Sequence, residues 1–402
     1  MLKAYKYRIY PNVSQEVLLN KHFGSTRFIY NWALDKKIKI YETDKKSISR
    51  FELQKEIVTL KSTKETEWLK EINSQSLQES LIHLDKAFTR FFREKKGFPK
   101  FKSKHNKQSF SCPQNIKVNF ETNKVTLPKI GEIKTVFSRE FKGKIKTCTI
   151  SKTTTNKFFI SILVDNSEEL PNKVKIKEET TIGIDLGIKD FAVLSNGEKI
   201  ENPKFLRREE KRLKFLQKRA SKKQKGSKNR KKANLKVAKL HEKIKNRRED
   251  FLHKITTKLI RENQTICLED LNVKGMMQNH TLAKSIAEVS WNKFNTYLNY
   301  KAKWYGKNIV YIGRFDASSK ICNNCGNVNR ELTLNNRHWK CKQCSVEHDR
   351  DINASINIKK FGLQGQNLIK QVPQDMRDIK LQEKYACKGI SVNEESTPLS
   401  RL

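Results

Sequence analysis

The stretch Thr181-Ile-Gly-Ile-Asp-Leu-Gly-Ile-Lys-Asp-Phe-Ala-Val-Leu decides how this chain is read. It is an apolar strand ending in an acid, a turn, and a second strand. Asp185 stands at the end of Ile182-Gly-Ile184, next to Gly187. Gln264-Thr-Ile-Cys-Leu-Glu-Asp-Leu repeats the pattern further on, with Glu269 closing the strand Ile266-Cys-Leu268. A third acid lies in His348-Asp-Arg-Asp-Ile-Asn-Ala-Ser-Ile-Asn-Ile, a helical run in which Asp349 and Asp351 compete. Two helical residues that far apart point roughly 200° away from each other, so only one of them can share a site with the other acids. Spacing alone does not choose between them. Singly, an acid after a strand is usually a turn or cap residue. Together the three fit a different chemistry, because hydrolysing a phosphodiester with Mg²⁺ needs carboxylates from separate elements around two ions about 4 Å apart. Strands carrying Asp and Glu, with an Asp at a helix start, are the arrangement of an RNase H-like nuclease sheet.

Between the second and third acids come Cys322-Asn-Asn-Cys325 and Cys341-Lys-Gln-Cys344. Two such knuckles can close four thiolates around one ion. With every position filled by sulfur, no place is left for water, so a structural zinc ribbon that catalyses nothing is expected; iron is the minor alternative. Arg337, Trp339 and Lys340 lie inside the loop and are read equally as nucleic-acid contacts or as ribbon packing. The chain has eight cysteines. In a reducing compartment they read as four ligands and four singles rather than as disulfides.

Charge supplies the partner class. The 402 residues carry 84 Lys+Arg against 43 Asp+Glu, a formal net charge of +41. That self-repulsion calls for a polyanion, while 36% hydrophobic residues suffice for real cores. No run approaches the roughly 18 apolar residues of a membrane span, and the start lacks a signal-peptide core, so a cytoplasmic protein without a membrane partner is expected. Residues 204–248 hold 21 Lys/Arg and three Glu and read as a basic helical hairpin. Lys211, Arg212, Arg230, Lys231 and Lys232 are its candidate phosphate contacts. Upstream, residues 2–10 alternate as a strand, and Leu77, Leu81, Leu84, Phe88 and Phe91 mark a helix. Residues 110–164 have period two, fitting a small antiparallel barrel that the first strand completes.

The motifs Gly183-Ile-Asp-Leu-Gly-Ile-Lys-Asp-Phe-Ala, Glu269-Asp-Leu-Asn-Val-Lys-Gly-Met-Met, Ser318-Ser-Lys-Ile-Cys-Asn-Asn-Cys-Gly and His348-Asp-Arg-Asp-Ile-Asn-Ala occur in this order. With Gly97-Phe-Pro-Lys-Phe-Lys-Ser-Lys and the opening Tyr5-Lys-Tyr-Arg-Ile-Tyr-Pro, they resemble TnpB, the transposon-encoded, RNA-guided DNA endonucleases related to type V CRISPR effectors. The match runs over roughly residues 1–360. The knuckle departs slightly, with Lys342 and Ser345 in place of the family's usual Pro and Gly.

The resemblance implies an α+β multidomain chain. Its RNase H-like (RuvC) nuclease domain would span 179–318 and 346–363, with the basic hairpin at 204–262 and an inserted zinc ribbon at 319–345. A small β-barrel (wedge) would take 1–12 and 108–178, a helical recognition domain 13–107, and a mobile tail 364–402. The catalytic acids implied are Asp185, Glu269 and Asp351, since in the family the acid directly before x-Asn-Ala is the catalytic one. Two Mg²⁺ ions would sit on these acids and one Zn²⁺ on Cys322, Cys325, Cys341 and Cys344. The implied partners are a guide RNA and double-stranded target DNA, bound by one protein chain in a bacterial ribonucleoprotein that joins the nucleoid when on DNA. Gln75 and Gln78 are the implied readers of a short flanking motif. A silent RNA-guided repressor and a transposase working without RNA are the alternatives.

Overall fold

The computed structural model describes residues 1–313, 316, 318–333 and 336–365. Most of the expected tail therefore lies outside the described residues. The chain forms two compact units, Met1–Glu169 and the residues from Leu170 on.

In the first unit β1 (Leu2–Tyr10) leads into the long α1 (Val13–Asp44). Asn12 starts α1 by accepting from the Gln15 amide, while the Gln15 side chain accepts from the Asn12 amide, so two otherwise orphaned donors are satisfied. α2 (Arg50–Ser62), a 3₁₀ segment (Lys64–Glu71) and α3 (Ser74–Glu94) follow. Leu77, Leu81 and Leu84 of α3 are buried with Ile29, Ala33 and Leu34 of α1. β2 (Gln108–Cys112), β3 (Lys117–Asn119), β4 (Lys124–Leu127), β5 (Gly131–Val136), β6 (Lys144–Lys152) and β7 (Phe158–Asp165) then make an antiparallel sheet with β1. Its order is β2-β6-β7-β1-β5-β4-β3.

β1 thus joins the sheet as expected, lying between β7 and β5. The expected barrel is not closed by this ladder, because β2 and β3 stand at its two edges. The core takes Tyr7, Ile9, Val125, Ile133, Ile150, Ile160 and Ile162, as period-two alternation dictates. Cys112 and Cys148, read as singles, face each other across β2 and β6, both fully buried.

The second unit opens with β8 (Thr181–Leu186), β9 (Asp190–Leu194) and β10 (Lys199–Glu201). α4 (Phe205–Ser221) and α5 (Lys228–Glu262) form the basic hairpin. β11 (Thr265–Glu269), α6 (Val273–Met276), α7 (His280–Val289), α8 (Trp291–Tyr305) and β12 (Asn308–Ile312) follow. β13 (His338–Lys340), β14 (Glu347–Asp349) and α9 (Arg350–Gln364) complete it. The sheet order is β10-β9-β8-β11-β12, with β8, β11 and β12 parallel and β9 antiparallel to its neighbours.

Residue parity sets the two faces of this sheet. Ile182, Ile184 and Leu186 of β8, with Ile266 and Leu268 of β11, join one core with Leu252, Leu259, Phe294 and Leu298. Gly183 and Cys267 face the other way, toward α9. Two glycines let α9 approach. A Cβ on Gly183 would sit 2.1 Å from the Ser355 carbonyl oxygen, and one on Gly362 would sit 2.4 Å from Cys267 Sγ.

Candidate active site and nucleic-acid surface

Asp185 follows Ile184 on β8 and Glu269 follows Leu268 on β11, and Ile184 pairs with Leu268 in parallel register. The two acids are therefore next in step on strands about 4.8 Å apart. They share the parity of Gly183 and Cys267, so both project toward α9. They also stand at the carboxyl ends of parallel strands, where open α/β sheets form their crevices.

The third acid arrives with α9. Ser355 packs on Gly183. From Ser355 back to Asp351 is one helical turn, about 6 Å, close to the two-residue step of about 6.6 Å from Gly183 to Asp185. Asp185, Glu269 and Asp351 line one cavity of about 330 Å³, with Trp291, Ser318, Arg337 and Arg350 among the other lining residues.

The competing acid goes elsewhere. Asp349 is the N-cap of α9, accepting from the Asp351 and Ile352 amides, and pairs with Lys199 at 2.5 Å. Burial works to raise its pKa, but the Lys199 ammonium and those amides outweigh it and hold the carboxyl below its usual value.

Each cavity acid with a described partner is held by a group the sequence reading did not single out for that task. Ser318, buried, donates from Oγ to Glu269 Oε1 at 2.7 Å. Arg337 Nη1 contacts both Asp351 oxygens at 3.2 and 2.8 Å, and Arg350 adds a contact at 3.3 Å. Two buried asparagines tie the ribbon base to α9. Asn353 donates to the Ile321 carbonyl at 2.7 Å, and Asn357 donates to the Ser318 carbonyl at 2.8 Å. Ser318, Arg350 and Asn353 stand inside the family motifs quoted above but with no role attached to them, while Arg337 and Asn357 have no local pattern to betray them.

The four knuckle sulfurs lie within 4.8 Å of one another. Cys322 and Cys344 Sγ are 3.6 Å apart and Cys325 and Cys341 Sγ 3.5 Å. A tetrahedral zinc with Zn–S near 2.3 Å sets its sulfurs about 3.8 Å apart, so the donor set fits. His348 Nε2 approaches Cys322 Sγ at 3.0 Å. Trp339 is buried against the His348 ring, with centroids 4.7 Å apart, which favours the packing reading for this residue. Gly326 bends the first knuckle at φ +79°, and Ser345 adopts φ +60° at the matching place in the second.

On the hairpin, Leu213, Leu240 and Ile244 bury a narrow apolar seam. Glu288 accepts from the Leu206 and Arg207 amides at 2.8 and 3.1 Å, capping α4 from outside. Lys211, Arg212, Lys231 and Lys232 are exposed. Arg230 is not wholly free for phosphate, since Nη1 donates to the Lys223 carbonyl at 2.9 Å and braces the turn. Glu210, bridged to Lys284 and Lys214, is pulled down to about 2. In the first unit Gln78 is exposed. Gln75 departs from the expected exposed position, being half-buried and donating to Gln114 Oε1 at 2.7 Å.

Known proteins share this organisation. Residues 161–280 match a family profile described as "Probable transposase", 291–358 one described as "Cas12f1-like, TNB domain", and 1–46 one described as "Helix-turn-helix domain". Over that last span the fold is β1 and the single helix α1. A Streptomyces pristinaespiralis protein named "Putative RNA-guided DNA endonuclease" is 38% identical over 90% of this chain and 89% of its own length. The similarly named InsQ of Escherichia coli K12 is 30% identical over 93% and 98%. Among solved structures, a Cas12f1–sgRNA–target DNA complex matches 89% of this chain and 98% of the other at TM-score 0.55 and 14% identity. At that identity the likeness speaks for the fold. No helix among the described residues is long and apolar enough to cross a membrane.

Proposed function

Because the chain belongs to the TnpB family, we propose that it is an RNA-guided DNA endonuclease that carries a guide RNA and cuts double-stranded target DNA beside a short flanking motif. The observation that supports the reading most is the shared cavity of Asp185, Glu269 and Asp351. Three carboxylates from β8, β11 and α9 are the residue types that hold Mg²⁺, and they line one cavity without drawing together into a ligand cluster like that of the four cysteines. When bound there, Mg²⁺ would activate water and stabilise the leaving oxygen of an in-line phosphodiester displacement.

The chain's own residues do the rest. Asp185, Glu269 and Asp351 would together hold the ions. Ser318 fixes the rotamer of Glu269, and such outer partners sharpen metal affinity. Arg337 and Arg350 balance the charge of Asp351. Cys322, Cys325, Cys341 and Cys344 would hold Zn²⁺ and keep the ribbon folded beside the site. The hairpin cations would take RNA or DNA phosphates, with pairing to the guide supplying most of the sequence discrimination. Residues 13–107 would act as the recognition module, with Gln78 exposed for contact with the flanking motif and Gln75 braced by Gln114.

Purifying the full chain with its bound RNA tests this. One abundant RNA species adjoining the gene is expected on sequencing, together with Mg²⁺-dependent cleavage of matching DNA. Asp185→Ala is expected to lose at least about a thousandfold in cleavage rate and keep its RNA. Cleavage that survives Asp185→Ala refutes the site assignment, and activity indifferent to RNase refutes the guided reading.

A further inference from the structure

Within the first unit, the C-terminal halves of α1 and α3 and the strap that begins at Gly97 enclose a cavity of about 700 Å³. Its walls carry Tyr41, Phe88, Phe91, Phe92 and Phe98. Three of these rings have packing to explain them. Phe98 meets Phe88 and Phe91 edge-on, with centroids at 5.6 and 5.4 Å, and so pins the strap to α3. Reciprocal bonds between the Asn31 side chain and the Lys102 backbone, 2.9 and 2.8 Å, pin it to α1.

Phe92 meets Phe91 edge-on at 5.0 Å and lies 6.3 Å from Phe88, yet it and Tyr41 keep most of their surface open to water. They stand 73% and 60% exposed, although each has a cavity wall beside it. Aromatic rings left in water around one concavity mark a surface that something covers.

Charge says what covers it. Lys37, Lys46 and Arg93 also line the cavity, Lys45 lies 5.6 Å over the Tyr41 ring, and residues 93–104 carry six Lys/Arg against one Glu. Glu42 and Asp85 are the acids in the wall. Burial holds Lys37 below its usual value, with Asp85 acting in the opposite direction. Flat apolar faces within a cationic rim suit a nucleotide. In a duplex both faces of each base are already covered, so the match is to an unpaired base. RNA is favoured over DNA because a carried guide covers the rings permanently, whereas target strands come and go.

We propose that this cavity is a stacking pocket for an unpaired base of the bound RNA, with its phosphates on Lys46 and Arg93. The proposal rests on the reading of the chain as an RNA carrier and adds a site to it.

The test compares the full-length wild type with Tyr41→Ala/Phe92→Ala and with Phe92→Trp. The probes are labelled oligouridylate, oligodeoxythymidylate of equal length, and an RNA duplex. Stacking predicts that the double variant binds oligouridylate about 5- to 150-fold more weakly. The slope against salt is expected to stay unchanged, because no phosphate contact is removed. Phe92→Trp is expected to keep wild-type affinity and the duplex to bind all three alike. Both positions are exposed, so only a small fall in melting temperature is expected, from the lost Phe92 contact with Phe91. Photo-crosslinking of the copurified complex gives a second readout, expected to link RNA to Tyr41 or Phe92. Unchanged oligouridylate binding by the double variant, loss confined to oligodeoxythymidylate, altered self-association in place of altered RNA binding, or no crosslink at either residue overturns the proposal. Target cleavage by the wild type, measured in parallel, reports separately on the enzyme reading.

Discussion

The cysteine cluster and the carboxylate cavity sit side by side in the second unit and are built on opposite plans. The cysteines come from one short stretch and draw four soft donors within 4.8 Å of one another. The acids come from three elements and surround about 330 Å³, already furnished with arginine and serine partners. The difference teaches that a site meant to be filled by one ion is closed by local turns. A cavity lined from several elements is held open by rigid pieces far apart in the chain, and their register has to be set by packing.

Removing the closed site gives the largest stability effect. Cys341→Ser is expected to drop zinc from one equivalent to well below it, read by elemental analysis. Structural zinc is worth about 10 kcal/mol or more to small modules, so the ribbon should become protease-sensitive. Arg337 lies within the ribbon and Ser318 just before it, and they hold Asp351 and Glu269, so cleavage should fall too. Retained zinc with normal cleavage would break the comparison. Gly183→Ala comes next, since its Cβ meets backbone atoms of α9 at 2.1 and 2.6 Å. A loss of about 3 kcal/mol is expected from chemical denaturation, with cleavage reduced beyond what unfolding explains because Asp351 moves with the helix. Stability loss with full cleavage would show that α9 packing does not position the acid.

Ser318→Ala should cost about 10- to 100-fold in Mg²⁺ affinity or rate and leave zinc content alone, which separates the two centres. The smallest effect is Ser345→Gly. Relieving a left-handed serine should stabilise the ribbon by about 1 kcal/mol, seen as slower zinc loss to a chelator. Faster loss would mean that the serine side chain contributes more than its backbone costs.

What could be read from residues alone divides along the same line. The knuckles were legible because a tight turn writes its spacing locally. Asp185 and Glu269 were legible because a strand end is also local, and alternation already puts them on the face opposite Ile184 and Leu268. The choice of Asp351 over Asp349 came from resemblance, and the fold supplies a physical reason: Asp349 is used up as the cap of α9. Ser318, Arg337, Asn353 and Asn357 act across tertiary contacts that leave no period behind. The facing of Cys112 and Cys148 depends on the register of β2 against β6, which local composition does not specify. That β2 and β3 are the ends of the strand order has the same origin, since edge pairing is decided by strand length and twist rather than by alternation.

The order of elements along the second unit has one more consequence. Asp351 follows every strand of the five-stranded sheet and both knuckles, so during translation the third acid leaves the ribosome after the sheet and the ribbon, ahead of the remainder of α9. A growing polypeptide therefore exposes its basic hairpin well before its third cavity acid, and a message broken ahead of that codon yields a chain that lacks part of the proposed site.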